Sequence, residues 1–535
     1  MKKYSWILGG LLGLTMFLYI CSPATLDVTD SNWMLAARLD TAHHNIMSFL
    51  YRDDQWRWPL TLFNTVTYPT THSATYADII PTYAIPCKLL RGILPDSFHY
   101  FGIVLMVNFI LQGVFAVVLL QQLVKRSTIV ALGTVVIVTA PVMLYKAPLH
   151  VALTSHWLIL MSLWIYFHKE RLSLWLQWGL VTIALFTHPY LWVMCVIIVG
   201  MKELNKLYSA VQYFGNGQKE RWLSEVMKSK AFIKCLKSGL IALVFTLPSL
   251  YVTGFFSLKV LDSVGWCTLN NSNLNAFISP TEFQVGNLVK PMSFYYEGQI
   301  EGFAYLGFGM LLLAVFLIPK IFIRLHNREW WKEHAITLLM VLFFTLFAIG
   351  NLYTWNKHLV YGFNLPAWAM DKYGIFRACG RFIWPVWYIV VLVLLKELDQ
   401  FKSNSVVAGI VVVITFAQLY DLGYCSNGII NTKWNEFRIL HATKTYPDDV
   451  DKLDSLIQDK KCVFVSLDII MKDSVRTNAI LHYLALKKIA FLNTRWCARR
   501  SRGAAREYEA IQKEIANGIY RKDYIYFLGK DQMKY

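Results

Sequence analysis

The sequence predicts an α-helical polytopic membrane protein with about eleven transmembrane helices and a small C-terminal α/β domain on the non-cytoplasmic side. Three observations predict this. Hydrophobic side chains make up 56% of the 535 residues and charged ones only 16%, where a soluble domain carries about a quarter charged residues. Mean hydropathy is +0.40, and apolar runs recur at lengths that suit a hydrocarbon core of roughly 30 Å. The basic residues gather in alternate connections, as the positive-inside rule requires.

Taken in order, the expected spans lie near 5–21, 100–121, 128–145, 150–168, 172–187, 189–203, 237–255, 302–319, 334–351, 380–396 and 404–421. The first follows Lys2-Lys3 and lacks a small-residue cleavage site, so it reads as a retained helix. The fifth and sixth are separated only by His188-Pro189. Two crossings there put the Lys-rich segment 202–237 on the same side as the N-terminus, with Lys125-Arg126, Lys169 to Arg171, Lys320 to Lys332 and Lys396 to Lys402. The N-terminus is thus cytoplasmic. The opposite side receives the long first loop 22–99, the loops 256–301 and 352–379, and the tail after Leu422. This divides the chain into a transmembrane domain, 1–421, and an extracytoplasmic domain, 422–535, in which apolar runs at Cys462 to Leu467, Ile489 to Leu492 and Tyr524 to Leu528 alternate with helical patterns.

A net charge of +18 distributed in this way argues for membrane lipids as partners and against nucleic acid. Nine cysteines show no metal-type spacing. Cys425, Cys462 and Cys497 share the tail, where a disulfide is allowed but spacing assigns no pair.

In the first loop, Asp30 to Arg52 has a capping-type start and apolar residues at helical intervals, as in an amphipathic helix lying on the bilayer. Asp40 stands three and four residues before His43 and His44, so all three can share a face. A carboxylate base supported by histidines, or a plain solvated helix face, would both give this pattern. Trp56, Trp58 and Asp78 follow in WRWPL and YADIIP; the tryptophans suit either sugar stacking or interfacial anchoring.

Ionisable groups within apolar spans are costly and default to functional hypotheses. Here they gather at the non-cytoplasmic ends: Lys146, His150, His156, His188, and Arg377 and Arg381 in FRACGRFIWP. Together they would suit a cavity for an anionic lipid head group, with arginine gripping phosphate oxygens. Snorkelling arginines and helix-packing histidines are the plainer alternative.

The ordered stretches LDTAHHNIMSFLYRDDQWRWPL, YADIIPTYAI, HYFGIVLMVNFILQGVFAVVLL, HVALTSHWLILMSL, HPYL, FRACGRFIWPVWY and LNTRWCARR resemble an uncharacterised family of bacterial multi-pass membrane proteins, itself similar to GT-C class membrane glycosyltransferases. The resemblance implies a GT-C-like fold in the bacterial inner membrane. It implies an essential acidic residue soon after helix one, where Asp40 stands preceded by Leu39 rather than the glycine frequent in relatives. It further implies a polyprenyl-phosphate-linked sugar donor, a cell-envelope glycan or lipid acceptor, Arg377 and Arg381 as donor-phosphate ligands, and Asp40 as the base of an inverting transfer. His43, His44 and Asp78 would then support catalysis, with His150, His156, His188, Trp56 and Trp58 lining the cavity. A monophosphate donor requires no metal, and no complete ligand set has recognisable spacing, although Asp40, His43 and His44 leave room for a divalent cation. A transporter or flippase, or a non-catalytic assembly protein, would share the topology; the first is expected to carry its polar site near the bilayer midplane, and the second to dock partners through its tail.

Overall fold

The computed structural model describes residues 4–37, 40–170, 172–215, 222–258, 266–281, 288–424, 428–446, 450–465, 474–492 and 501–528. Cys425, Cys497 and most of LNTRWCARR lie outside them. The chain is mostly helical, at 67%. Seven of the described helices are long and apolar enough to cross a membrane: Phe101–Leu123, Ser127–Leu144, Lys230–Val252, Phe308–Leu325, Arg328–Ile349, Cys379–Leu398 and Asn404–Gly423. Side chains cap some of their starts. Asn327 accepts hydrogen bonds from the backbone N–H groups of Glu329 and Trp330 at 2.9 and 3.3 Å, and Ser403 accepts from Val406 at 3.3 Å.

The other expected spans take different forms among the described residues. Ser5–Cys21 and Leu174–Thr187 are apolar helices of 17 and 14 residues, and at 1.5 Å per residue even the longer rises only about 25 Å. Val151–Phe167 is also short and opens in a 3-10 turn. The segment 189–203 is the head of a 27-residue helix, Pro189–Gly215, that continues into Lys202, Glu203 and Lys206.

Close packing replaces length at the first helix. Ser5–Cys21 lies against Phe101–Leu123 so tightly that a Cβ on Gly113 would fall 1.9 Å from the Gly9 carbonyl oxygen, an approach only small residues allow.

Residues 30–52 do not lie on a lipid surface as one helix. They form two, Asn32–Ala36 and Asp40–Asp53, and nearly every residue of the second from Thr41 to Arg52 is buried. The helix Ser474–Leu486 covers them: Asn478 Nδ2 donates to the Leu35 carbonyl at 3.2 Å, and the His482 ring meets the Phe49 ring edge-on at 4.9 Å. Beside that helix a three-stranded parallel sheet places Cys462–Val465 between Ala490–Leu492 and Tyr524–Phe527. The Phe491 N–H donates to the Thr65 carbonyl at 2.6 Å, so this sheet is anchored on the first loop.

A buried amide network ties the later loops together. Gln299 Nε2 donates to Asn271 Oδ1 and Thr354 Oγ1, both at 2.7 Å. Asn271 Nδ2 donates to the Ile349 and Leu352 carbonyls, and Asn273 Nδ2 to Gln299 Oε1 and the Asn356 carbonyl. Satisfied polar networks of this kind fix a unique arrangement; this one sets Glu301, two residues from Gln299.

Candidate functional site

Two groups of ionisable side chains meet at the end of the bundle where the first loop folds. The first centres on Asp78. Its backbone is left-handed, φ 55°, and Ile80 follows at φ 57°. A β-branched residue there is strained, and strain held beside a carboxylate points to a constrained, functional geometry. Three histidines from separate segments face this carboxylate. His44 Nε2, on the helix Asp40–Asp53, is 4.0 Å from Asp78 Oδ2, and His150 Nε2, before the turn Val151–Thr154, is 3.7 Å from the same oxygen. His188 Nε2, between two helices, is 3.5 Å from Oδ1. The His44 and His150 rings meet edge-on at 4.7 Å, and those of His150 and His188 at 5.4 Å.

The histidine side chains are 4–7% exposed and Asp78 16%, so the carboxylate alone reaches solvent appreciably. Burial, then the neighbouring charge of His150, brings His44 down to about 4, making it a neutral imidazole at physiological pH. Burial would push the Asp78 carboxyl up, but the facing His150, His188 and His44 more than offset this and hold it well below the usual carboxylate range. The Tyr190 N–H donates to His188 Nδ1 at 3.2 Å, which puts the ring proton of neutral His188 on Nε2, toward Asp78. The remaining nitrogens of His44 and His150, both Nδ1, are buried without a hydrogen-bond partner.

The second group is an ion-paired triad. Glu301 Oε2 is 2.7 Å from Lys146 Nζ and 2.8 Å from Arg381 Nε. The Lys146 ammonium lies over the Tyr145 ring at 4.7 Å and the Arg381 guanidinium over the Tyr190 ring at 4.8 Å. Burial lowers Lys146 to about 8 despite the opposing pull of Glu301. Burial would raise Glu301, but Arg381 and Lys146 keep it strongly acidic. The backbone brings the partners together at Gly380 and Gly302, where a Cβ on Gly380 would sit 2.7 Å from the Gly302 Cα and N.

Tyr190 and His188 join the two groups. The charges of Arg381 and Asp78 both act on His188, and the Tyr190 hydroxyl accepts from the Ala378 N–H at 2.8 Å. Asp40 is exposed at the head of its buried helix, and its charge acts on Lys146, His43 and His44. Thr41 Oγ1 donates to the Pro148 carbonyl, locking that helix onto the Lys146 to His150 turn.

Other expected residues lie elsewhere. Arg377 precedes the 3-10 turn Cys379–Ile383, so the four-residue spacing to Arg381 is not that of one α-helical face; its carbonyl accepts from Asn270 Nδ2 at 3.0 Å. His156 is fully buried, 3.0 Å from the Tyr388 hydroxyl through Nδ1 and packed against the tilted Trp384 ring at 4.6 Å. Trp56 lies under the Lys88 ammonium at 5.0 Å, and Trp58, 64% exposed, meets the Tyr251 ring at 6.1 Å. Sequence reasoning missed Glu301. Its signal was a lone acid at the boundary of the apolar run 302–319.

These features define a polytopic helical membrane protein whose first loop closes over a histidine and carboxylate cluster beside a buried ion-paired triad. The chain belongs to the family described as domain of unknown function (DUF6311), which matches residues 10–423 and so takes in both groups. No curated protein and no solved structure matches it.

Proposed function

We propose that this protein is a membrane glycosyltransferase that moves a sugar from a polyprenyl-phosphate-linked donor to a cell-envelope glycan or lipid acceptor, at the non-cytoplasmic face of a bacterial inner membrane. The observation that carries this reading is the Glu301 carboxylate holding both Lys146 and Arg381, with the exposed Asp40 heading the helix whose Thr41 hydroxyl donates to the Pro148 carbonyl of the Lys146 to His150 turn. A base and a pair of cations in one place are what phosphate displacement by a hydroxyl requires.

The acceptor hydroxyl gives its proton to Asp40 and its oxygen bonds to the anomeric carbon. The bond from that carbon to the phosphate oxygen breaks, and its electron pair leaves on the lipid phosphate, toward Lys146 and Arg381. Configuration inverts, through a transition state with oxocarbenium character. Arg377, half-buried at the start of the same segment, is a second arginine for the departing phosphate. The ordered stretches resembling GT-C enzymes support the same assignment, and the distribution of basic connections supports a cytoplasmic N-terminus, about eleven crossings and an extracytoplasmic α/β domain at 422–535.

The test is release of polyprenyl phosphate from a panel of radiolabelled lipid-linked sugars by the purified full-length protein, with envelope extract as acceptor. Wild type is expected to consume a donor, and a correctly folded Asp40→Asn variant to lose at least about 100-fold in rate. Equal turnover by the variant would remove Asp40 from the mechanism, and no turnover of any donor by wild type would overturn the activity.

A further inference from the structure

We infer that His44, Asp78 and His150 form a binding site for one divalent transition-metal ion, of the zinc class, with an open position for water or an anionic oxygen. A nitrogen of each histidine and one carboxylate oxygen lie within 4.8 Å of one another. The His44 and His150 Nε2 atoms lie 4.0 and 3.7 Å from Asp78 Oδ2, separations that one ion bonded to both atoms of each pair spans. Zinc bonds to imidazole nitrogen and carboxylate oxygen are about 2.0–2.2 Å.

Hydrogen bonding within the cluster does not explain it. Distances of 3.7 and 4.0 Å are beyond a hydrogen bond, and both Nδ1 atoms are buried and unpartnered. Two buried imidazoles thus leave their Nδ1 atoms without a hydrogen-bond partner, a costly arrangement in a folded interior. A cation held by the lone pairs of the two Nε2 atoms and Oδ2 draws these three groups together and puts the proton of each ring on its Nδ1.

The chemistry of the donor set narrows the ion. Two imidazoles and one carboxylate exclude the all-oxygen preference of calcium and magnesium and suit zinc, ferrous iron, cobalt or manganese. Three protein ligands with a solvent-reaching side leave a fourth position, as catalytic rather than structural zinc sites do.

His188 belongs to this site as a positioning residue. Because its Nδ1 accepts from the Tyr190 N–H, its Nε2 proton points at Asp78 Oδ1. That leaves Oδ2 to the metal and orients the carboxylate, the usual outer-shell role. The left-handed backbone at Asp78 and Ile80 fixes the same orientation from below. Four segments far apart in sequence supply these groups, so the site exists only in the folded chain. It does not depend on the glycosyl-transfer reading.

The experiment uses full-length protein purified in detergent, its affinity tag removed, stripped with a chelator and titrated with Zn2+ and separately with Co2+. Binding is read by calorimetry and by metal analysis after gel filtration. One equivalent of Zn2+ is expected, with a Co2+ absorption spectrum showing nitrogen and oxygen ligands only. Asp78→Asn and the double variant His44→Ala, His150→Ala are expected to lose more than about 100-fold in affinity, and His188→Gln about 10- to 100-fold at unchanged stoichiometry. Should the double variant fail to fold, X-ray absorption of the wild-type zinc complex decides: two imidazoles in the first coordination sphere support the site, and none overturns it. Absence of stoichiometric metal in wild type, or unchanged affinity in folded Asp78→Asn and the double variant, also overturns it.

Discussion

Replacing Glu301 by glutamine tests whether the triad behaves as one unit. The carboxylate touches Lys146 and Arg381 through a single oxygen at 2.7 and 2.8 Å, and the two cations are only 7% and 12% exposed. Removing the one anion leaves two like charges in a poorly solvated place, and breaking a buried pair from one side costs about 3–5 kcal/mol. The penalty has a ceiling, because Lys146, already at about 8, can shed its proton. Lys146→Met alone leaves the Glu301 to Arg381 pair standing and should cost about 1–2 kcal/mol. On the Glu301→Gln background the same change removes a repelling charge and should restore about 1 kcal/mol or more. Unfolding in mixed micelles, followed by tryptophan fluorescence for all four proteins, gives the coupling directly. If the two substitutions add within about 0.5 kcal/mol, the residues are independent and the triad is a coincidence of position.

Three further outcomes follow from the packing. Gly380→Ala forces a Cβ to 2.7 Å from the Gly302 backbone, so it should cost about 1–3 kcal/mol, while Gly409→Ala, with nothing within 4 Å, should leave unfolding unchanged; equal effects would discount the backbone contact. Asp421→Asn should lose about 1–3 kcal/mol in the same assay, because the buried carboxylate accepts from the Leu288 and Phe308 N–H groups, both at 3.0 Å, and from the Tyr305 hydroxyl at 2.8 Å, and an amide must turn its NH2 against one of those donors. His482 is lowered to about 3 by burial, then by His99 and Arg52. Its folded value lies below its unfolded one, so stability is retained above about pH 6.5 and lost as pH falls. Its share between pH 7 and pH 5 is about 2 kcal/mol. His482→Gln should flatten the acid slope by about 1.4 kcal/mol per pH unit near pH 5, and an unchanged slope would show that the ring is protonated at little cost.

The membrane spans were legible because length and apolarity are local properties. Phe101–Leu123 and Arg328–Ile349 can be read from their own residues, and the helix Ser5–Cys21 has the bounds expected of the first apolar run. The helix Asp40–Asp53 was visible as a helix but not as a buried one. Its periodicity says which side chains share a face and cannot say that Ser474–Leu486, more than 400 positions later, will cover it.

The candidate site divides in the same way. The spacing of Asp40, His43 and His44 suggested one cluster on one helix, and the fold gives its members different surroundings: Asp40 is exposed at the head of the helix, while the buried His44 faces Asp78 and His150. Helical spacing constrains angles about an axis and leaves open what lies across from each face. The informative signal was instead the recurrence of ionisable residues at the ends of apolar spans. Lys146, His150, His188 and Arg381 were all found that way, singly, because each would be costly in lipid. Glu301 obeys the same rule at the boundary of the run 302–319. Pairing these groups required two backbone facts that no periodicity carries, the left-handed turn at Asp78 and the contact of Gly302 with Gly380. Both cost conformational freedom or space, and each sits beside a carboxylate that gathers the site's cations or imidazoles. The fold therefore holds the Asp78 and Glu301 carboxylates beside constrained stretches of backbone, which is the arrangement expected when the positions of the charges, more than stability, determine what the segment is for.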